Sequence, residues 1–475
     1  MRVLFSVETP LSLTAFQSVL RELGEHGHEV IVAIHEEREI GWRDRLLSGV
    51  TGDAVTAEHA VVPRADRWLE LSADIRSSLD LFQFLGPRFN DTYRARAWRR
   101  APKPAAALAR SRVGSRPAVR RAAISGLGLL EQVVPTNGEI ERYLLERRPD
   151  VVLLTPYVGL RQIQPDFLRA SQALGLRTAI CVKSWDNLSS KSLIRPLPER
   201  LFVWNDIQRE EAETLHGIPR DRIVVTGAQC FDEWFEWRPR GREVLCGRAG
   251  LDPARPFVLY ACCAPWTGQS EVAFVRRWAA VLPDGVQVLV RPHPKRPEEW
   301  IDADLSDVPG LAVYPREGHA PTDGETKADY FDSLYHSAAL VGLNTSAMIE
   351  AAIVGRPVLT VLDPEFEQVQ LGTIHFPYLL EAGGGAVQVA GTLEEHAAQL
   401  AAVLADDSEA RRRAQAFVAT FVRPHGLERP ATPIFVDEVE RLATSPAPRP
   451  RRTSPALRAL RPLLAPLASR SARYA

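Results

Sequence analysis

The chain has 475 residues, 45% hydrophobic and 25% charged, an ordinary balance for a soluble globular protein of two or three domains, and a formal net charge of −1. The opening apolar run, residues 3–7, is closed by Glu8 and is too short for a secretory signal, and no run of about 18 apolar residues offers a spanning helix. Five cysteines without a C-x-x-C pair exclude a disulfide framework or a thiolate metal centre and predict reduced thiols in a cytoplasmic protein.

In chain order, residues 2–8 read as a strand, 12–24 as a helix ending at Gly24 or Gly27, and 29–35 as a second strand. A βαβ unit of this length implies a parallel sheet. Residues 64–130 read as helical and irregular, broken by Pro87, Pro102 and Pro104. From Thr92 to Leu130 there is no acid, while Arg94, Arg96, Arg99, Arg100, Lys103, Arg110, Arg112, Arg116, Arg120 and Arg121 are interleaved with Trp98, Leu108, Val113, Val119, Ile124 and Leu127. That mixture suits a helical insertion lying on an anionic membrane surface. No recognition motif supports nucleic acid as a partner. Strands are expected at 150–155, 177–182, 200–204 and 222–226, with a helix at 208–216 stopped by Gly217 and Pro219.

The polar, Gly- and Pro-bearing stretch 236–256 marks a domain boundary. A second strand–helix series follows: strands at 257–263, 286–290 and 311–314, helices at 270–281, 329–338, 393–405 and 408–422, and a helix at 434–443 crossing back onto the first half. Cys262 and Cys263 lie in an apolar run and read as core. The expected fold is α/β, with two Rossmann-like domains, residues 1–240 and 250–443, facing a central cleft. The Pro-, Ala- and Arg-rich tail 444–475 reads as disordered.

Two motifs carry chemistry. Residues 340–361 read as strand, polar turn, short helix, Gly-x-Pro break and strand. Thr345 and Ser346 stand where the helix begins, Ser346 as a favoured N-cap, and the exposed N–H groups there favour a phosphate. Glu350 follows Ser346 by four residues on the same helix face. That is one residue too far for a capping box, so its carboxylate is free to accept hydrogen bonds from both hydroxyls of a ribose. The second motif is Arg291, Pro292, His293, Pro294, directly after a strand. Arg291 offers a planar fork to phosphate oxygens, and His293, when protonated, donates to a phosphate or leaving group.

The Glu350-x4-Gly355-x-Pro357 spacing resembles the donor-site signature of glycosyltransferases with the two-Rossmann GT-B architecture. The Arg-x-His-Pro loop followed by Asn344, Thr345, Ser346 and Glu350 resembles, more narrowly, the CDP-glycerol glycerophosphotransferases and related capsule and wall-polymer transferases. Gly227-x4-Asp232 is similar to that branch's Gly-x-Pro-Arg-x-Asp, with Ala228, Gln229, Cys230 and Phe231 between the ends. The resemblance implies that Arg291, His293, Thr345 and Ser346 hold donor phosphates and that Glu350 holds ribose. It implies that the loop 264–269 borders the diphosphate, Thr267 and Gly268 allowing close backbone approach. It also implies that Glu367 and Gln368 touch the transferred group.

A transferase needs a base for the acceptor hydroxyl. Asp186, among Lys183, Ser184, Trp185 and Asn187 after a strand, is the first choice, with Trp185 stacking on a sugar; Glu8 is second. His28 reads as structural. Asp302 and Asp304 imitate a metal-binding D-x-D but sit in a surface-like acidic patch. No metal and no cofactor are expected, helix N-termini and basic side chains standing in for Mg²⁺. The expected activity is transfer of a glycosyl or glycerophosphoryl group from a nucleotide-activated donor to a hydroxyl of a cell-envelope glycan or lipid-linked acceptor. A nucleotide-sugar 2-epimerase and a non-catalytic nucleotide- or lipid-binding envelope-assembly protein are the rivals.

Overall fold

The computed structural model describes residues 1–36, 50, 53–60, 64, 66–89, 91–157, 159, 162–264 and 270–471. The chain divides into two units, Met1–Gln229 with Thr432–Ala475, and Cys230–Ala431.

In the first unit, β1 (Arg2–Val7), β2 (Glu29–Ile34), β3 (Val55–His59), β4 (Val151–Thr155), β5 (Arg177–Cys181), β6 (Arg200–Val203) and β7 (Ile223–Val225) form one sheet in the order β3-β2-β1-β4-β5-β6-β7. Every pairing is parallel, and Leu4 of β1 lies between Ile31 and Val152. Val3, Leu4 and Phe5 are fully buried, as a strand covered on both faces requires. The helix expected at 12–24 is a 3₁₀ turn, Pro10–Ala15, followed by the helix Gln17–Glu25; Phe16, with φ −133° and ψ 10°, separates the two.

The second unit repeats the plan. β8 (Phe257–Ala261), β9 (Gln287–Arg291), β10 (Leu311–Val313), β11 (Ala339–Val341), β12 (Val358–Val361) and β13 (Val387–Ala390) are ordered β10-β9-β8-β11-β12-β13, again all parallel. In each sheet the order reverses once, between β1 and β4 and between β8 and β11. The loops at the carboxyl ends of those strands diverge there and leave a crevice.

The expected linker at 236–256 is instead packed into the second unit. Trp237 packs on Phe331 with ring centroids 5.7 Å apart, and Arg240 pairs with Asp332 at 2.6 Å and Asp329 at 2.5 Å. Polar composition concealed this, because the arginine's charge is met by acids of the distant helix Gly324–His336. The helix Ala431–Thr444 belongs to the first unit, where Phe435 packs against Phe16 and Phe202.

The tail does not fit the expectation of disorder. Helices Pro455–Ala459 and Arg461–Ser471 follow a Pro-rich run. Ala468 is fully buried, and with Leu464 and Ala465 it packs on Trp68, Ile75, Leu79 and Val134. The run itself crosses Gly175, whose φ is +74° and where an added Cβ would meet Pro448 O at 2.9 Å. A few small apolar side chains suffice because the partner surface already exists.

The basic insertion folds as four helices, Trp68–Phe84, Asp91–Arg100, Lys103–Arg110 and Pro117–Val133. A buried ion network ties it to the sheet layer. Arg76 donates to Glu131 and to Asp166, each at 3.0 Å, and Asp166 sits on the helix Gln164–Leu174. Burial pushes the Asp166 carboxyl up, but Arg76 and Arg64 outweigh it and hold the group below its ordinary range. Removing one member leaves buried charge unmatched. Arg76→Met is therefore expected to cost about 3–5 kcal/mol in urea-unfolding stability. A loss under about 1 kcal/mol, the range of surface pairs, would mean that this network does not anchor the insertion.

Candidate functional site

In the second unit a cavity of ≈ 190 Å³ opens where the strand order reverses. Ala261 and Cys262 at the end of β8, residues 291–294 at the end of β9, Thr345, Ser346, Ala347 and Glu350 after β11, and His319, Pro321 and Tyr330 line it. The strand ends approach closely at Gly342, where a Cβ would stand 3.1 Å from Ala261 O. Gln370 braces the turn from below, donating to Leu343 O, Val361 O and Thr360 Oγ1. The structure thus brings together Arg291, His293, Thr345, Ser346 and Glu350.

Arg291 is buried, its guanidinium 5.0 Å over the Tyr330 ring. One of its terminal nitrogens reaches Asp329 O at 3.4 Å; the other, NH2, has no hydrogen-bond partner among the described residues. A buried N–H donor left over at a cavity wall is unusual and fits an anionic ligand.

His293 differs from expectation. Burial, then Lys295, pushes its pKa down to about 4, so it is neutral near pH 7 rather than an imidazolium. The Lys295 N–H donates to Nδ1 at 3.1 Å, which leaves the ring proton on Nε2. His293 is a fixed neutral N–H donor.

Ser346 also differs. It has helical angles, φ −63° and ψ −22°, and makes no capping bond; Thr345 Oγ1 accepts from the Ala347 N–H at 3.4 Å instead. The helix it precedes, Ala347–Ile353, has only seven residues. Its exposed hydroxyl remains available to a ligand.

Glu350 accepts a short hydrogen bond from Tyr330 Oη. Burial raises its carboxyl to about 7, against the Tyr330 bond and the Arg291 charge. Tyr330 was not foreseen, nor was any spacing available to find it; it touches both Arg291 and Glu350 from another helix.

Thr267 and Gly268 lie outside the described residues. The first helical residue beyond them, Glu271, was also missed. It is fully buried, accepts from Tyr260 Oη and from the Cys263 N–H, both at 2.8 Å, and burial raises it to about 7. The Cys262 and Cys263 thiols are pushed up by burial, as core cysteines are. Glu367 and Gln368 are exposed beyond the turn Pro364–Phe366 and do not line the cavity; the inward side chains of that loop are Phe366 and Gln370. Asp302 and Asp304 are exposed, and Asp304 accepts from its own neighbour Ser306.

In the first unit the corresponding reversal holds a cavity of ≈ 510 Å³, lined by Glu8, Glu36, Ala73, Asp74, Ser77, Arg100, Gly159 and Gln162. Asp186 does not line it. Asp186 accepts from Ser184 and Ser190, both at 2.7 Å, and from Lys191 at 3.3 Å, and it is buried. Those partners hold the turn before the helix Asn187–Ser190, so its lone pairs are committed to the fold. Trp185 is 5% exposed and packs inward instead of presenting a sugar-binding face. Glu8, the second candidate, lines this open crevice together with Glu36 and Asp74, and Gln162 donates to it.

No family model matches the chain, and no curated protein matches it. Solved structures do. The UDP-GlcNAc 2-epimerase from Neisseria meningitidis, bound to UDP-GlcNAc, is 12% identical with a TM-score of 0.50, over 93% of this chain and 100% of that one. The S. aureus MnaA–UDP co-structure is 12% identical with a TM-score of 0.54, over 95% and 100%. A glycosyltransferase from Rickettsia africae ESF-5 is 9% identical with a TM-score of 0.54, over 94% and 99%. At these identities the likeness is one of fold, and the chain has the α/β GT-B architecture of two Rossmann-like units.

Glu271 makes a testable statement about pH. Its pKa in the fold, about 7, lies above the value of about 4.3 in an unfolded chain. The native state then keeps a proton that the unfolded state has lost, so this group's contribution falls as pH rises from about 4.3 to 7. Glu271→Gln, which mimics the protonated acid, is expected to gain up to about 3 kcal/mol relative to the parent between pH 5 and pH 8. Parallel stability–pH curves for the two proteins would contradict the assignment.

Proposed function

We propose that the protein is a GT-B transferase that holds a nucleotide-activated donor in the cavity of its second unit. It moves a glycosyl or glycerophosphoryl group to a hydroxyl of a cell-envelope glycan or lipid-linked acceptor. The observation that carries the reading is the unpartnered Arg291 NH2, buried in one cavity with His293, Thr345, Ser346 and Glu350. One cavity thus offers a guanidinium with neutral donors and, joined to it through Tyr330, a carboxylate, the kinds of group a nucleoside diphosphate needs.

In this reading the diphosphate takes hydrogen bonds from Arg291, from His293 Nε2 and from the two hydroxyls, while the ribose hydroxyls donate to Glu350. As the bond to the transferred group breaks, charge builds on the departing diphosphate. Donors already aimed at it, and held out of water, strengthen at that moment and so raise the rate. His293 acts by donating a hydrogen bond rather than by carrying charge. Glu8, at the carboxyl end of β1, is the base for the acceptor hydroxyl.

A lipid-linked acceptor is favoured by the surface of the insertion and tail. Leu108, Val113, Leu463 and Leu467 are exposed beside Arg99, Lys103, Arg110, Arg112 and Arg458, in two segments that contain no acid. Such a surface suits anionic lipid. A second reading, 2-epimerisation of a nucleotide sugar, rests on the fold shared with UDP-GlcNAc 2-epimerases and uses the same donor site without an acceptor. Incubation with UDP-GlcNAc alone separates the two: accumulation of the 2-epimer favours the epimerase, and no turnover until an acceptor is added favours the transferase.

A thermal-shift series with UDP, CDP, GDP and CMP tests the site itself. One nucleotide raises Tm, and Arg291→Ala and Glu350→Ala each weaken its binding about 10- to 100-fold. An undiminished shift in Glu350→Ala would remove the ribose role.

Ribose binding to the ionised carboxylate also lowers the pKa of Glu350 from about 7. Affinity should rise with pH up to about 7 and then level off, with net proton release on binding. Calorimetry at pH 7 in two buffers of different ionisation enthalpy measures that release, and proton uptake would contradict it.

A further inference from the structure

Away from both cavities, three side chains of the first unit converge. His26 is the C-cap of the helix Gln17–Glu25, and His28 leads into β2. Between them Gly27 has φ +76°, a turn that points both imidazoles to one side. Glu440 comes from the helix Ala431–Thr444. His26 Nδ1 lies 2.9 Å and His28 Nε2 2.7 Å from the same oxygen, Glu440 Oε1, and the three potential ligand atoms all lie within 4.8 Å of one another.

We propose that His26, His28 and Glu440 form a binding site for a divalent transition metal of the zinc type. Bonds of about 2.0–2.1 Å in a tetrahedral site set neighbouring ligand atoms about 3.4 Å apart, so side-chain shifts of about 1 Å reshape the present cluster around a cation. Two imidazoles and one carboxylate form a ligand set suited to Zn²⁺, and water completes the four positions. Asp437, one turn before Glu440, lies close enough to act on His26 and adds negative charge. The side chains of His26 and Glu440 are 43% and 36% exposed, which leaves an entry path. The ion fastens the returning helix Ala431–Thr444 to the corner between the first helix and β2. Its role is structural, and the donor site does not involve it.

The test uses the full chain, freed of metal by chelation, and Zn²⁺ alone. The parent binds one Zn²⁺ in calorimetry with a rise in Tm that EDTA reverses, and Co²⁺ in its place gives the visible absorption of a tetrahedral site. His28→Ala and Glu440→Gln lose the Tm rise and the cobalt spectrum. His26→Ala, at the most exposed of the three positions, does the same with metal-free Tm and circular dichroism close to the parent, which separates loss of ligation from misfolding. The proposal is overturned if Zn²⁺ raises Tm equally in the parent and in His26→Ala, or if the parent shows no saturable binding.

Discussion

Parallel strands impose the constraint on which both units depend. Each strand must be followed by a crossover that returns the chain to the starting edge, so all carboxyl-end loops emerge on one edge of a sheet. Where the order reverses, adjacent loops turn to opposite faces and cannot fill the space between them. In the second unit that vacancy falls between β8 and β11, and Arg291 reaches it from the neighbouring β9. The closeness of Gly342 to Ala261 O keeps the gap narrow enough for one set of side chains to line it.

That placement has an electrostatic consequence. Side chains at strand ends are surrounded by the sheet on one side and by loops on the other, so charged forms are disfavoured. Glu271 and Glu350 are raised to about 7, His293 is lowered to about 4, and Arg291 is lowered from its ordinary value by the same desolvation. Of these groups His293, Glu350 and Arg291 line the cavity, while Glu271 lies in the core beside it. Such a site gains most from a ligand that brings negative charge to Arg291 and hydroxyl donors to Glu350. Strain of this kind, tolerated in the empty protein, is what marks a site off from the core beneath it.

The insertion illustrates a different balance. Its basic surface repels itself, while its first helix buries Trp68, Ile75, Leu79 and Phe82. What holds it is a small number of buried ion pairs around Arg76, together with the tail helix Arg461–Ser471 laid across Trp68 and Leu79. The arrangement keeps acid-free sequence and exposed leucines on the outside, so the segment folds without neutralising its surface.

Much of the fold was legible because it rests on local pattern. Short apolar runs, the Gly-x-Pro break and the prolines around His293 identify strands, their order of appearance and the stiff loop that carries Arg291. The position of Glu350 four residues after Ser346 was enough to place both on one face. Asp186 misled, because a polar group after a buried strand looks the same in sequence whether its lone pairs are open or already taken by Ser184 and Ser190. The tail misled for the converse reason: its disordered composition holds three small apolar residues that matter only once a partner surface exists.

By itself, then, the order of residues determined the two βαβ series and singled out Arg291, His293, Thr345, Ser346 and Glu350, since both follow from spacing along short segments. Only the tertiary structure decided that His293 is neutral, that Glu350 titrates near neutrality, and that Tyr330 joins it to Arg291. It also decided that Glu8, rather than Asp186, faces an open crevice. Those properties depend on desolvation and hydrogen-bond partners contributed by segments far apart in the chain, and no local pattern carries that sum.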